Sequence, residues 1–139
     1  MKDLFPLFLM FLITSHWLCI RLACSDDFNV VEYGAKGDDL TDDSNAFLKS
    51  WQSVCDTTRG APTFIIPQDK TFMLQPLSFQ GPCKYATINV KIMGTITALK
   101  SPKNWKWVNN DDDESCIKFD GINGLVINGG GNVDGQGAP

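Results

Sequence analysis

Short apolar runs alternate with glycine, proline and aspartate along most of the chain, and one stretch breaks that rhythm with helical spacing. Phe28, Val30 and Val31 form a β-prone run that ends in Gly34-Ala35-Lys36-Gly37-Asp38-Asp39, where glycines and aspartates favour a turn. Thr41 or Asp42 can then accept from the free N–H groups of a helix start, and Asp42 and Asp43 bring negative charge to the positive end of its dipole. Phe47, Leu48, Trp51, Val54 and Cys55 follow at i, i+1, i+4, i+7 and i+8, one apolar stripe of an amphipathic helix over about 42–56. Such a stripe needs a core to cover.

After a polar loop, Thr63-Phe64-Ile65-Ile66 reads as a buried strand stopped by Pro67, Thr71-Phe72-Met73-Leu74 as a second, and Leu77-Ser78-Phe79 as the start of a third. Ile88, Val90 and Ile92 alternate with polar residues, Gly94 punctuates, and Thr95 to Leu99 resumes the β-pattern. Residues 101–114 change character, with a proline, asparagines, two tryptophans and four consecutive acids, and form an irregular surface excursion. Ser115 to Phe119 and Leu125 to Ile127 are further strands. Gly94-Thr95-Ile96 is echoed by Gly131-Asn132-Val133, each after an apolar strand, at an offset of 37 residues. Glycine-bent short strands repeating in this way suit a solenoid whose coils bury their faces against one another, and the residues alone leave a β-sandwich equally open.

Composition narrows the setting. The 139 residues bound the chain to one domain, and their charge pattern shows no disordered tail. Lys2, the apolar run Leu4 to Ile13, and Ala23-Cys24-Ser25 with small residues at a cleavage position make residues 1–25 a secretory signal peptide. A membrane anchor is the competing interpretation, but Thr14, Ser15, His16 and Arg21 interrupt the run short of a span. Removing the segment changes the net charge from −4 to −5, with 10 basic and 15 acidic residues left. An acidic protein without a basic stripe or an aromatic-interleaved Lys/Arg cluster argues against nucleic acid and anionic membranes as partners. Cys55, Cys83 and Cys116 remain in an oxidising compartment, an odd number that leaves one thiol over. Cys116, between Ser115 and Ile117, reads as a buried strand residue, and no paired Cys or His spacing points to a metal. No cofactor motif occurs.

Tyr33-Gly34-Ala35-Lys36-Gly37-Asp38 with Thr41-Asp42-Asp43 resembles the start of the mature plant-type polygalacturonases, family 28 of the glycoside hydrolases. Gly81-Pro82-Cys83, Gly94-Thr95-Ile96, Gly121 to Gly129 and Val133-Asp134-Gly135-Gln136-Gly137 fall in matching order, so the likeness covers nearly all of Phe28 to Gly137. The family usually has glycine at the position of Asp39, a departure that bears on the local turn. The resemblance implies an all-β fold, the opening coils of a right-handed parallel β-helix of the pectin-lyase type, with the helix capping its N-terminal end. It also implies a Cys55–Cys83 disulfide, secretion to the cell wall, and pectin or homogalacturonan as partner, with hydrolysis of α-1,4-galacturonosyl bonds as the family reaction.

The resemblance stops short of the chemistry. Family members carry Asn-Thr-Asp, Asp-Asp, Gly-His-Gly and Arg-Ile-Lys motifs, which supply the acid and base for inverting hydrolysis and basic groups for the uronate. Inversion needs two carboxyls about 6.5–9.5 Å apart. Here those motifs are absent, and the single histidine, His16, lies in the signal. Asp42-Asp43 is explained by a helix start. Asp111-Asp112-Asp113-Glu114 offers a carboxylate cluster for acid–base work or Ca²⁺, but adjacent acids in a loop are ordinarily solvated, and calcium loops space their acids alternately around a glycine. Trp105 and Trp107 can form a sugar-stacking face, though such residues more often pack a loop onto the body. Residues 26–139 are therefore expected to be the first coils of a longer solenoid, inactive alone. Their tail, Gly135 to Pro139, supplies no polar terminal unit.

Overall fold

Ten strands, one α-helix and two short 3-10 turns are found among residues 26–106 and 115–136, which the computed structural model describes. In chain order the regular elements are β1 (Asp27–Asn29), β2 (Asp38–Asp42), α1 (Ser44–Asp56), β3 (Thr63–Ile66), β4 (Thr71–Leu74), β5 (Leu77–Gln80), β6 (Ile88–Ile92), β7 (Thr95–Ala98), β8 (Ile117–Asp120), β9 (Leu125–Asn128) and β10 (Asn132–Asp134). Four residues suffice for β3 because Phe64 and Ile66 point inward and are buried, while Thr63 and Ile65 stay half-exposed. β5 and β6 alternate in the same way, whereas β4 and β7 bury three residues in a row, so each of these strands presents an apolar row to the interior.

All of the pairings are parallel, in three sheets ordered β1-β3-β6-β9, β2-β4-β7-β10 and β5-β8. Neighbours within a sheet come from successive coils, so the chain winds once through the sheets and returns one level on. This is the expected architecture, the opening coils of a right-handed parallel β-helix. Thr71 faces Thr95, an offset of 24 residues, whereas Thr95 faces Asn132, an offset of 37. The longer coil holds the excursion between β7 and β8, and the repeat seen in the sequence is the β7–β10 register itself.

Glycine at the two repeat positions is a packing requirement. A Cβ on Gly94 would lie 2.2 Å from the Pro67 carbonyl oxygen, and one on Gly131 would lie 2.3 Å from that of Gly94. The same corners stack by hydrogen bonds, Gly94 N–H to Ile66 O at 3.2 Å and Gly131 N–H to Ile92 O at 2.9 Å. Backbones this close leave no room for a side chain.

α1 lies over the first coils and buries Phe47, Trp51, Val54 and Cys55, each large apolar side chain contributing about 1.5–3 kcal/mol on leaving water. Phe47 meets Phe64 and Phe72 edge-on at 5.9 and 5.4 Å between centroids. Trp51 meets Phe64, Phe79 and Phe119 at 5.2–5.6 Å, and its indole N–H donates to Gln80 O at 3.1 Å. The helix ends where Thr57 turns extended, with its hydroxyl donating to Ser53 O at 2.9 Å.

Four sequence expectations are corrected. Val30 and Val31 are not strand residues: Asn29 accepts from Val31 N–H, and Val30–Tyr33 closes as a 3-10 turn ended by left-handed Gly34. Leu48 is off the buried stripe, 41% exposed, because i+1 from Phe47 rotates it toward solvent. α1 begins at Ser44 rather than 42, since Asp38–Asp42, which spans the end of the expected turn and the expected helix start, forms β2 on β4 with a register shift. Cys116 is half-buried and lies one residue before β8.

Candidate functional site

Asp38, Asp42 and Asp43, before and at the start of α1, are occupied by backbone N–H groups. Asp42 Oδ1 accepts from the Ser44 N–H at 3.0 Å and from its hydroxyl at 2.5 Å, so it caps the helix start as the sequence suggested. Asp43 has the N-cap position but makes no side-chain bond to the helix. Its carboxylate, 2% exposed, turns back to accept from Lys36 N–H at 2.8 Å and Gly37 N–H at 3.0 Å. Its own N–H donates to Met73 O and its C=O accepts from Phe47 N–H, which joins the turn, β4 and α1 at one residue. Asp38 accepts from Leu40 N–H, Thr41 N–H and the Thr41 hydroxyl. The Thr41 N–H, followed by that of Leu40, lowers its carboxyl below the usual range. These are structural carboxylates, since every one is engaged in fixing a turn.

Asp39 has the left-handed backbone that glycine favours, with φ 56°, which explains why a glycine suits this position. Its side chain crosses to the third coil, accepting from the Thr97 hydroxyl and from Lys100 Nζ, each at 3.3 Å. The Lys100 pair is about half exposed and adds at most about 1 kcal/mol.

The root of the excursion is held at two further points. The Trp105 indole N–H donates to Leu99 O at 2.7 Å, and Lys106 N–H donates to the Gln75 side-chain oxygen at 3.1 Å. Gln75 N–H donates in turn to Ser44 Oγ at 2.8 Å. Trp105 is half-buried while Lys103 and Lys106 are exposed beside it in sequence. The stretch Lys100 to Trp107 thus interleaves lysines with aromatics, a local exception to the absence of such a cluster read from the sequence. Trp107 and the acids Asp111 to Glu114 lie outside the described residues, as does the proposed signal, residues 1–25. Among the described residues, no group of three or more His, Cys, Asp or Glu side chains converges.

Cys55 and Cys83 form the expected disulfide, tying the end of α1 to the corner after β5. A hydrogen bond supports it, Lys84 N–H to Cys55 O at 2.9 Å. An apolar pocket of about 240 Å³, open to solvent, is lined by residues including Phe64, Phe79, Ile96, Phe119, Ile127 and Val133. Ile127 and Val133, on the last strands described, are about half exposed.

Stacked parallel coils with a covering helix and a disulfide at its end define the class, a β-helical solenoid. The sequence profile of the glycosyl hydrolases family 28 matches residues 55–139, and the chain belongs to that family. A probable polygalacturonase of Arabidopsis thaliana is 46% identical over 114 residues, covering 82% of this chain and 24% of that protein. Polygalacturonase-2 of Solanum lycopersicum is 37% identical over 78% of this chain and 22% of its own length. A polygalacturonase of Gossypium hirsutum is 35% identical over 93% of this chain and 30% of its own. The chain thus spans about a quarter of the length of the relatives it matches.

Proposed function

We propose that these coils are the N-terminal part of a secreted enzyme that hydrolyses α-1,4-galacturonosyl bonds of pectin in the cell wall. The observation that carries this reading is family membership combined with relatives named polygalacturonase along most of the chain. Residues 1–25 act as the secretory signal in this reading. By itself the 139-residue chain is inactive. Asp38, Asp42 and Asp43 are committed to backbone N–H groups, and the chain after the signal has no histidine. Inverting hydrolysis requires a protonated carboxyl facing a second carboxylate across the bond, which engaged turn aspartates do not provide. Incubating the pure chain with polygalacturonate is expected to release no reducing ends, and measurable release would overturn the claim of inactivity. An intact mass matching Asp26–Pro139 with one disulfide, measured on protein from the extracellular fraction, tests the signal.

One observation favours a second reading, a wall-binding role. Trp105 is fixed by its bond to Leu99 and remains half-exposed, with Lys103 and Lys106 available to a polyanion. Aromatic faces suit the apolar surfaces of sugar rings, and cations suit uronate. Retention on insoluble pectin should fall on Trp105→Ala, Trp107→Ala substitution. Unchanged retention, or none in the parent chain, would remove that reading.

A further inference from the structure

The corner between β8 and β9 holds Asn123-Gly124, and a second Asn-Gly pair, Asn128-Gly129, ends β9. Both asparagines are exposed, but their backbones are held differently. Asn128 is in the parallel ladder, paired with Lys91. Asn123 lies in a bend outside any strand, and among the described residues neither its own backbone nor the Gly124 N–H has a hydrogen-bond partner. Gly124 is held on its other side, where its carbonyl oxygen accepts from Ile88 N–H at 2.8 Å. It also has to be glycine, because a Cβ there would lie 2.5 Å from the Ala86 carbonyl oxygen. Packing therefore enforces the one residue type that leaves the following amide nitrogen unshielded.

We propose that Asn123 is a site of spontaneous deamidation and isoaspartate formation in the folded 139-residue chain, and that Asn128 reacts more slowly because the ladder restrains its backbone, although the Gly129 N–H has no hydrogen-bond partner among the described residues. The Gly124 nitrogen, losing its proton to water, attacks Cγ of Asn123. An N–Cγ bond forms, the Cγ–Nδ2 bond breaks, and ammonia leaves a five-membered succinimide. Water then adds to one of the two ring carbonyl carbons and opens the ring to aspartate or to isoaspartate. Water is the only co-reactant, and no oxidation or reduction occurs. Either product adds a negative charge. The isoaspartate route also inserts the Asn123 Cβ into the main chain, which displaces the Gly124 carbonyl from Ile88 and disturbs the entry to β9.

The test is incubation of the full chain in mildly alkaline buffer, followed by tryptic digestion and fragment-ion sequencing of the peptide after Lys118. Replacement of the amide by a hydroxyl is expected at Asn123 roughly fivefold faster than at Asn128, the ratio that corresponds to about 1 kcal/mol of barrier. In strong urea the two rates should converge. Asn123→Gln should remove the early product, and Asn128→Gln should leave it. Equal native rates, faster reaction at Asn128, or the same ratio in urea would each overturn the proposal.

Discussion

Replacing Asp43 by alanine should destabilise the chain far more than replacing its neighbour Asp42, although both look like helix-start residues in the sequence. The Asp43 carboxylate is nearly inaccessible and accepts from two main-chain N–H groups of the turn before β2. Hydrogen bonds to a charged group are worth about 1.5–3 kcal/mol each, so the pair supplies roughly 3–6 kcal/mol. Lys36 is exposed and Gly37 half-exposed, so water can reach the freed N–H groups in the variant and the loss should fall near 3 kcal/mol. Against a typical total of about 5–15 kcal/mol, that is a large share. For a chain of this length it corresponds to a melting shift of roughly 10–13 °C. Asp42→Ala loses an exposed cap and should cost about 1 kcal/mol. Urea titration followed by tryptophan fluorescence, with both variants compared with the parent, gives the two numbers. An Asp43→Ala cost within 1 kcal/mol of the parent, or below that of Asp42→Ala, would refute the reasoning.

Three further outcomes follow from the same geometry. Cys55→Ser with Cys83→Ser opens a crosslink across a sequence separation of 28 residues and should cost about 3.5 kcal/mol by the chain-entropy relation, read from the urea midpoint. The Asp38 carboxyl titrates below its ordinary 3.8 in the folded chain, so its contribution is present above that value and lost as pH falls through the folded pKa. Asp38→Asn should therefore flatten the acid limb of the stability profile below about pH 4, and an unchanged limb would exclude that assignment. Gly94→Ala forces a methyl onto the Pro67 carbonyl and should cost about 1–3 kcal/mol in thermal melts, whereas the same change at Gly130, where the space is open, should be much milder.

The coils were legible where burial and pattern agree. Phe64 and Ile66, Phe72 and Leu74, and Val90 and Ile96 gave away their strands because each alternates or runs apolar against a glycine or proline stop. The Gly94 and Gly131 repeat announced the β7–β10 register. β2 was not legible, since Asp38 to Asp42 is polar, half of it faces water, and only main-chain pairing to β4 makes it a strand. Asp43 was read as dipole complement because spacing places it at a helix start, and only the fold brings Lys36 and Gly37 to its carboxylate. The Cys55–Cys83 pairing came from family resemblance, as three cysteines alone leave the partner undecided. Gln75 carried no signal at all: its role depends on Lys106, 31 residues away, reaching the same corner.

The unequal coil lengths have an engineering meaning. Going from β4 to β7 takes 24 residues and from β7 to β10 takes 37, yet Thr95 keeps its place in the ladder with both Thr71 and Asn132. The surplus leaves after β7 and returns at β8 without changing the pitch of the coils on either side. Lengthening a flexible loop costs little entropy once its ends are fixed, and here the Leu99, Gln75 and Asp39 contacts fix one of them. That corner is a ready display port, where a foreign peptide can be spliced into the protein while the ladders beneath it stay in step.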